Sequence, residues 1–135
     1  MKTMSNNLKY FGGLTLVLSV AFFYYLVASL QAQDFGNIWL IALGFGLLLF
    51  ASGLIFGYSD SMRRSRADLG FQYHLMTFVI VNLVGAPWLI VALGTGSNNL
   101  INIAYQCGPW AIGLAIHYYF SSKSIKGMNK DEIFD

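Results

Sequence analysis

Two histidines, His74 and His117, are the residues of this 135-residue chain best suited to chemistry. Each lies three residues from an aromatic side chain at the edge of a long apolar run: His74 follows Phe71 and His117 precedes Phe120. If the two runs are helices of opposite direction, three residues at ~1.5 Å rise put both imidazoles about 4–5 Å inside the same boundary. A matched pair of this kind admits three chemistries. Each ring can help lock a helical hairpin by bonding to a carbonyl, to Asn, Thr or Tyr, or to the other ring, at roughly 0.6 kcal/mol per interhelical bond. The pair can instead take the two axial positions of a haem b, with Arg63, Arg64 and Arg66 near enough to the boundary to meet its propionates. In the third, the rings respond to pH or bind a transition metal with ligands from elsewhere, since two ligands alone make a poor metal site.

The neighbours of the histidines follow helical spacing. Gln106, Trp110, Gly113 and His117 recur at intervals of four, three and four, so they share one helix face. His74, Thr77, Phe78, Val81 and Asn82 occupy a similarly narrow sector of the preceding helix. A semi-polar seam between the two helices is expected, able to pack them or to hold a haem b or a quinone-like molecule. No Asp, Glu, Lys or Arg lies within the apolar runs, which argues against a proton-coupled pump built on an intramembrane acid. The single cysteine, Cys107, forms no internal disulfide and excludes a multi-cysteine thiol relay.

The elements that must position these residues are membrane helices. The chain is 56% hydrophobic and 10% charged, with a mean hydropathy of +0.58, a composition from which a soluble domain with a polar exterior is hard to build. Four charge-free runs, Tyr10 to Leu30, Ile38 to Tyr58, Gln72 to Leu93 and Leu100 to Phe120, each supply about 20 residues, the length that crosses a bilayer core of roughly 30 Å. Runs this long and unalternating predict helices rather than barrel strands. All eight basic residues fall on one side of that arrangement. Lys2 and Lys9 precede the first run, the three arginines separate the second from the third, and Lys123, Lys126 and Lys130 follow the fourth. The other two connections carry none, so the expectation is a bacterial inner-membrane protein with both termini cytoplasmic. The first run exceeds the apolar core of a signal peptide and is expected to remain as an uncleaved helix.

The predicted fold is therefore an all-α membrane protein of four transmembrane helices in two tandem hairpins. The N-terminal hairpin occupies residues 1–60, the second 61–122, and a short tail 123–135. The segments 53–58 and 113–118 resemble one another at a constant offset, a weak sign of duplication. Gly46, Gly53 and Gly57 give the second helix a smooth face, for packing within the bundle or for a homo-oligomer or membrane-complex partner. Pro87 and Pro109 predict kinks, with a bend or break near Pro109. Asp60 and Asp68 read as charges flanking the arginine cluster. Nucleic acid is an unsuitable partner for a chain without an extended basic surface.

The second hairpin carries a recognisable pattern. Phe71-Gln72-Tyr73-His74-Leu75, the pair Val81-Asn82, and Gly108-Pro109-Trp110-Ala111-Ile112-Gly113-Leu114-Ala115-Ile116-His117-Tyr118 resemble the bacterial two-transmembrane (2TM) domain family over about residues 63–122. The matching positions are His74, Asn82, Trp110, Gly113 and His117. The chain departs from the pattern where Pro109 and Ala111 flank Trp110 in place of glycines, and in its additional first hairpin. Such domains stand alone or are attached to sensor histidine kinases, so the resemblance implies a membrane anchor or sensing role and brings no active site. The function expected from the sequence is a small sensory, accessory or assembly component, non-enzymatic. A haem b or quinone-binding redox protein using His74 and His117 is the alternative, and a small passive channel or transporter is the third reading.

Overall fold

The computed structural model describes residues 4–63 and 69–127, which form four helices: α1 (Asn6–Gln31), α2 (Ile38–Arg63), α3 (Leu69–Leu93) and α4 (Ser97–Gly127). The chain is all-helical, and α1, α3 and α2 as far as Ser61 are long and apolar enough to cross a membrane. At 31 residues α4 has the length but is less apolar, since Asn102, Gln106 and His117 interrupt it. The helices overrun the apolar runs, because α-helix satisfies its own backbone whether or not its side chains are apolar. The extension of α2 through Asp60 to Arg63 matters most for the site.

Local chemistry sets the helix ends. Ser5 has an extended backbone and its hydroxyl accepts from the Leu8 N–H at 2.9 Å, an N-cap for α1. At the other end Gln33 takes a left-handed φ of 56°. There the Gln33 N–H donates to Leu30 O at 3.2 Å and Asp34 N–H to Ser29 O at 3.0 Å, the paired bonds of a Schellman turn. Gly94 plays the equivalent part after α3, with φ 83° and its N–H on Ile90 O at 2.8 Å. The Asn99 side chain donates to Leu93 O and Gly94 O and closes this second turn.

The packing order is α2, α1, α3, α4. Phe11 meets Phe56 and Phe22 stacks on Phe45, so α1 and α2 run antiparallel. Phe11 also meets Tyr73, and Phe23 lies on Gly85, so α1 and α3 run parallel. Phe71 opposes Tyr118 and Phe78 opposes Trp110, making α3 and α4 antiparallel. Between α2 and α3 contact is slight, and α4 touches only α3 among the described residues. Held between two neighbours, α1 buries Leu8, Phe11, Gly12, Thr15, Ser19, Phe23 and Val27, a stripe at three- and four-residue spacing.

Two glycines permit the close approach of α1 and α3. A Cβ on Gly12 would lie 3.3 Å from the Met76 sulfur, and one on Gly85 would lie 2.1 Å from Phe23 Cζ. The smooth face on α2 is only partly used inside the bundle. Gly53 approaches Phe11, but Cβ atoms at Gly46 and Gly57 would meet nothing within 4 Å, so these two do not serve packing inside the bundle. Nor does α4 break at Pro109, since it runs unbroken from Ser97 to Gly127. A membrane helix tolerates proline where neighbouring groups and small local adjustments satisfy the freed carbonyl.

Candidate functional site at the proximal end of the bundle

The bundle end at which α1 begins, α2 ends and α3 begins, here termed proximal, gathers most of the polar chemistry. Its centre is Asp60, which is only 3% exposed. Tyr73 Oη donates to Asp60 Oδ2 at 2.9 Å, Ser5 Oγ donates to the same oxygen, and Asn7 Nδ2 donates to Oδ1 at 3.1 Å. Asn7 Nδ2 also lies 3.2 Å from Ser59 Oγ. One carboxylate thus ties α1, α2 and α3 together. Asp60, read from the sequence as a charge flanking the arginine cluster, is buried here, because α2 continues beyond the apolar run that closes at Tyr58 and turns this side chain inward. Burial of such a group is tolerable because three donors replace its water.

Beside this knot the two histidines meet. The His74 and His117 ring centroids are 5.2 Å apart at an interplanar angle of 69°, an edge-to-face contact. Phe71 packs edge-on against His117 at 6.1 Å, and His117 Cε1 lies 4.0 Å from where a Gly70 Cβ would stand. Both imidazoles are exposed on the bundle surface, and neither makes a hydrogen bond among the described residues. The contact between the rings is therefore packing rather than bonding.

Other residues expected in the seam divide between two places. Asn82 and Trp110 lie in it: Asn82 Oδ1 accepts from Cys107 Sγ at 2.7 Å, and Trp110 packs on Phe78 with centroids 5.6 Å apart. Cys107 supplies this interhelical polar contact, and Gln106 beside it in sequence is half-buried. Gly113 faces open space. Thr77 lines the space between α2 and α3 with His74 and donates to Tyr73 O in its own helix at 2.9 Å. Of the arginines, Arg64 and Arg66 lie outside the described residues, as does the side chain of Arg63.

Haem does not fit the histidines as they stand. Opposed imidazoles at about 2 Å metal–nitrogen distance, the usual length for histidine ligation, need the metal and its whole macrocycle between them. Here the rings touch edge to face, and Phe71, Phe78, Trp110 and Tyr118 fill the seam around them. Among the described residues no three His, Cys, Asp or Glu side chains come together to hold a metal ion.

A trough lies between α2 and α3, where the two helices barely touch. Its deeper part, about 270 Å³, has Phe11 as floor and Phe50, Gly53, His74 and Thr77 as walls. It adjoins a second space of about 430 Å³ bounded by Gly57, Tyr58, Ser61 and Gly70. Gly53, Leu54 and Tyr73 border both. A separate shallow space of about 660 Å³ sits between the distal ends of α1 and α3, beside Gln31, Pro87 and Trp88.

The fold and site together define an all-helical protein with helices suited to a membrane, tied at one end by a buried carboxylate. Comparison with protein-family models, with curated proteins and with solved structures found no match.

Proposed function

We propose that the chain is a four-span, non-enzymatic component of the bacterial inner membrane, with both termini cytoplasmic, whose α4 receives a partner in an accessory, sensory or assembly role. The observation carrying this reading is the position of α4. It packs antiparallel along α3 through Tyr118, His117, Trp110 and Cys107, so a bilayer crossed by α3 encloses α4 as well. Yet among the described residues α4 touches no other helix, has no buried residue, and leaves Asn102 and His117 exposed. Polar side chains inside a membrane almost always face protein or a water-filled cavity. A polar helix leaning on one neighbour fits a bundle completed by another chain. The two-transmembrane-like pattern over residues 63–122, with its implied anchor or sensing role, agrees with this reading. The eight-to-zero distribution of basic residues supports the orientation.

The test uses a photoreactive amino acid incorporated singly in native membranes. At Asn102, Ile112 or Ile116, on the bare faces of α4, it should give a discrete protein adduct, with this chain or another. At Leu47, on the exposed face of α2, it should give lipid adducts. Lipid adducts alone at every α4 position would overturn the reading.

A further inference from the structure

The trough between α2 and α3 is bordered by His74, whose imidazole makes no hydrogen bond among the described residues. We propose that it binds an isoprenoid quinone, with the quinone ring hydrogen-bonded by His74 and the prenyl chain lying over Gly53, Leu54 and Gly57. This inference is independent of the partner proposed for α4.

Three observations select that occupant. The first is shape. Leu49 and Ser61 mark the two ends of the lining of α2, twelve residues or about 18 Å apart along the helix. Glycines line both walls, Gly53 and Gly57 on α2 and Gly70 on α3, and a Cβ at Gly57 would meet nothing within 4 Å. A second helix, about 10 Å across, cannot enter a 270 Å³ space that descends to Phe11, whereas a ring and a chain can.

Depth is the second. His74 lies three residues, or about 4–5 Å, along α3 from the aromatic boundary at Phe71, and Thr77 one turn further. A phospholipid keeps its charged phosphate at the headgroup level and offers only alkyl chain at this depth. The occupant must bring an uncharged polar group into the hydrocarbon region, as a quinone carbonyl or quinol hydroxyl does.

The third is unused hydrogen-bonding capacity. The hydroxyls of Ser61, Tyr73 and Thr77 are committed to Tyr58 O, Asp60 and Tyr73 O respectively. Among the described residues bordering the trough, the His74 imidazole and the exposed Tyr58 phenol make no side-chain hydrogen bond, and of the two only His74 reaches the deeper part. A neutral imidazole can donate to a carbonyl and accept from a hydroxyl, so it suits either redox form of the ring. Leaving it unbonded in an apolar medium is costly, and a ligand removes that cost. Phe11 and Phe50 supply aromatic surface beside it.

The test is photolabelling of the full chain in phosphatidylethanolamine/phosphatidylglycerol nanodiscs with an azido-ubiquinone analogue, followed by peptide mapping. Label should fall on residues 49–61 and 69–77, and a short-chain ubiquinone should compete about tenfold better than farnesol, which has the chain without the ring. His74→Phe keeps the ring contact with His117 but removes the nitrogens, and should weaken competition about tenfold. Gly57→Leu fills open space with a better helix former and should abolish labelling with the fold intact by circular dichroism. Val91→Leu at the distal end should change nothing. Equal competition by farnesol, label spread over all four helices, or indifference to His74→Phe would each overturn the proposal. So would a dimer, seen by light scattering and lost in Gly57→Leu, without specific label, which would make the trough a seat for a second copy.

Discussion

Replacing Asp60 by alanine should loosen the proximal end more than any other single polar substitution. The carboxylate accepts from Ser5, Asn7 and Tyr73, and both Ser5 and Asp60 are buried. Interhelical bonds in membrane proteins average about 0.6 kcal/mol with a maximum near 1.7, and bonds to a charged group reach about 1.5–3 kcal/mol. Three bonds lost together, less the desolvation cost that the carboxylate no longer carries, give a net loss of about 2–4 kcal/mol. Tyr73→Phe removes one donor and should cost about 1 kcal/mol. In Asp60→Ala/Tyr73→Phe the phenol is no longer left without an acceptor, so the double variant should lose about 1 kcal/mol less than the sum of the single losses. Reversible unfolding in mixed micelles of increasing dodecyl sulfate, followed by the fluorescence of Trp39, Trp88 and Trp110, measures all three variants. An Asp60→Ala loss under about 0.5 kcal/mol, additive with Tyr73→Phe, would refute the reasoning.

Two further variants test the packing and the first turn. Gly85→Ala should destabilise, because the new Cβ stands 2.1 Å from Phe23 Cζ and overpacking costs about 1–3 kcal/mol against about 1 kcal/mol gained in helix propensity. In a Phe23→Leu background, which removes the clashing ring atoms, the same substitution should become stabilising by up to about 1 kcal/mol; destabilisation of equal size in both backgrounds would contradict the contact. Gln33→Gly should raise the unfolding midpoint by the equivalent of about 0.5–1 kcal/mol, since Gln33 holds a φ of 56° that glycine adopts without a Cβ penalty. A lower midpoint would mean that the Schellman turn is not formed.

The depth match of His74 and His117 was legible in the sequence because it needs only two boundaries and the helical rise. That they meet was also foreseeable, as was the company of Asn82 and Trp110. The Asp60 knot was not, since the charge-free apolar run closes at Tyr58, whereas the helix runs on to Arg63. A signal did exist. Ser5, Asn7, Ser59, Asp60 and Tyr73 are polar side chains at the same proximal margin of three different helices. Neither could the sequence say which helix is central. Gly12, Thr15 and Ser19 put one narrow face of small side chains on α1, and Gly46, Gly53 and Gly57 make an equally smooth face on α2 that is mostly unpartnered. Small residues report where helices can meet, and only tertiary packing decides where they do.

The claim that α4 crosses the bilayer with a face free for a partner is tested most directly by the side on which it ends. In a Cys107→Ser background, Ser97→Cys should react with a membrane-impermeant maleimide added to intact cells. Green fluorescent protein fused after Asp135 should fluoresce, and alkaline phosphatase fused there should be inactive, placing Ser97 outside and the C-terminus in the cytoplasm. An active phosphatase at the C-terminus, with Ser97→Cys labelled, would leave α4 outside the membrane and contradict both the four-span topology and the partner face built on it.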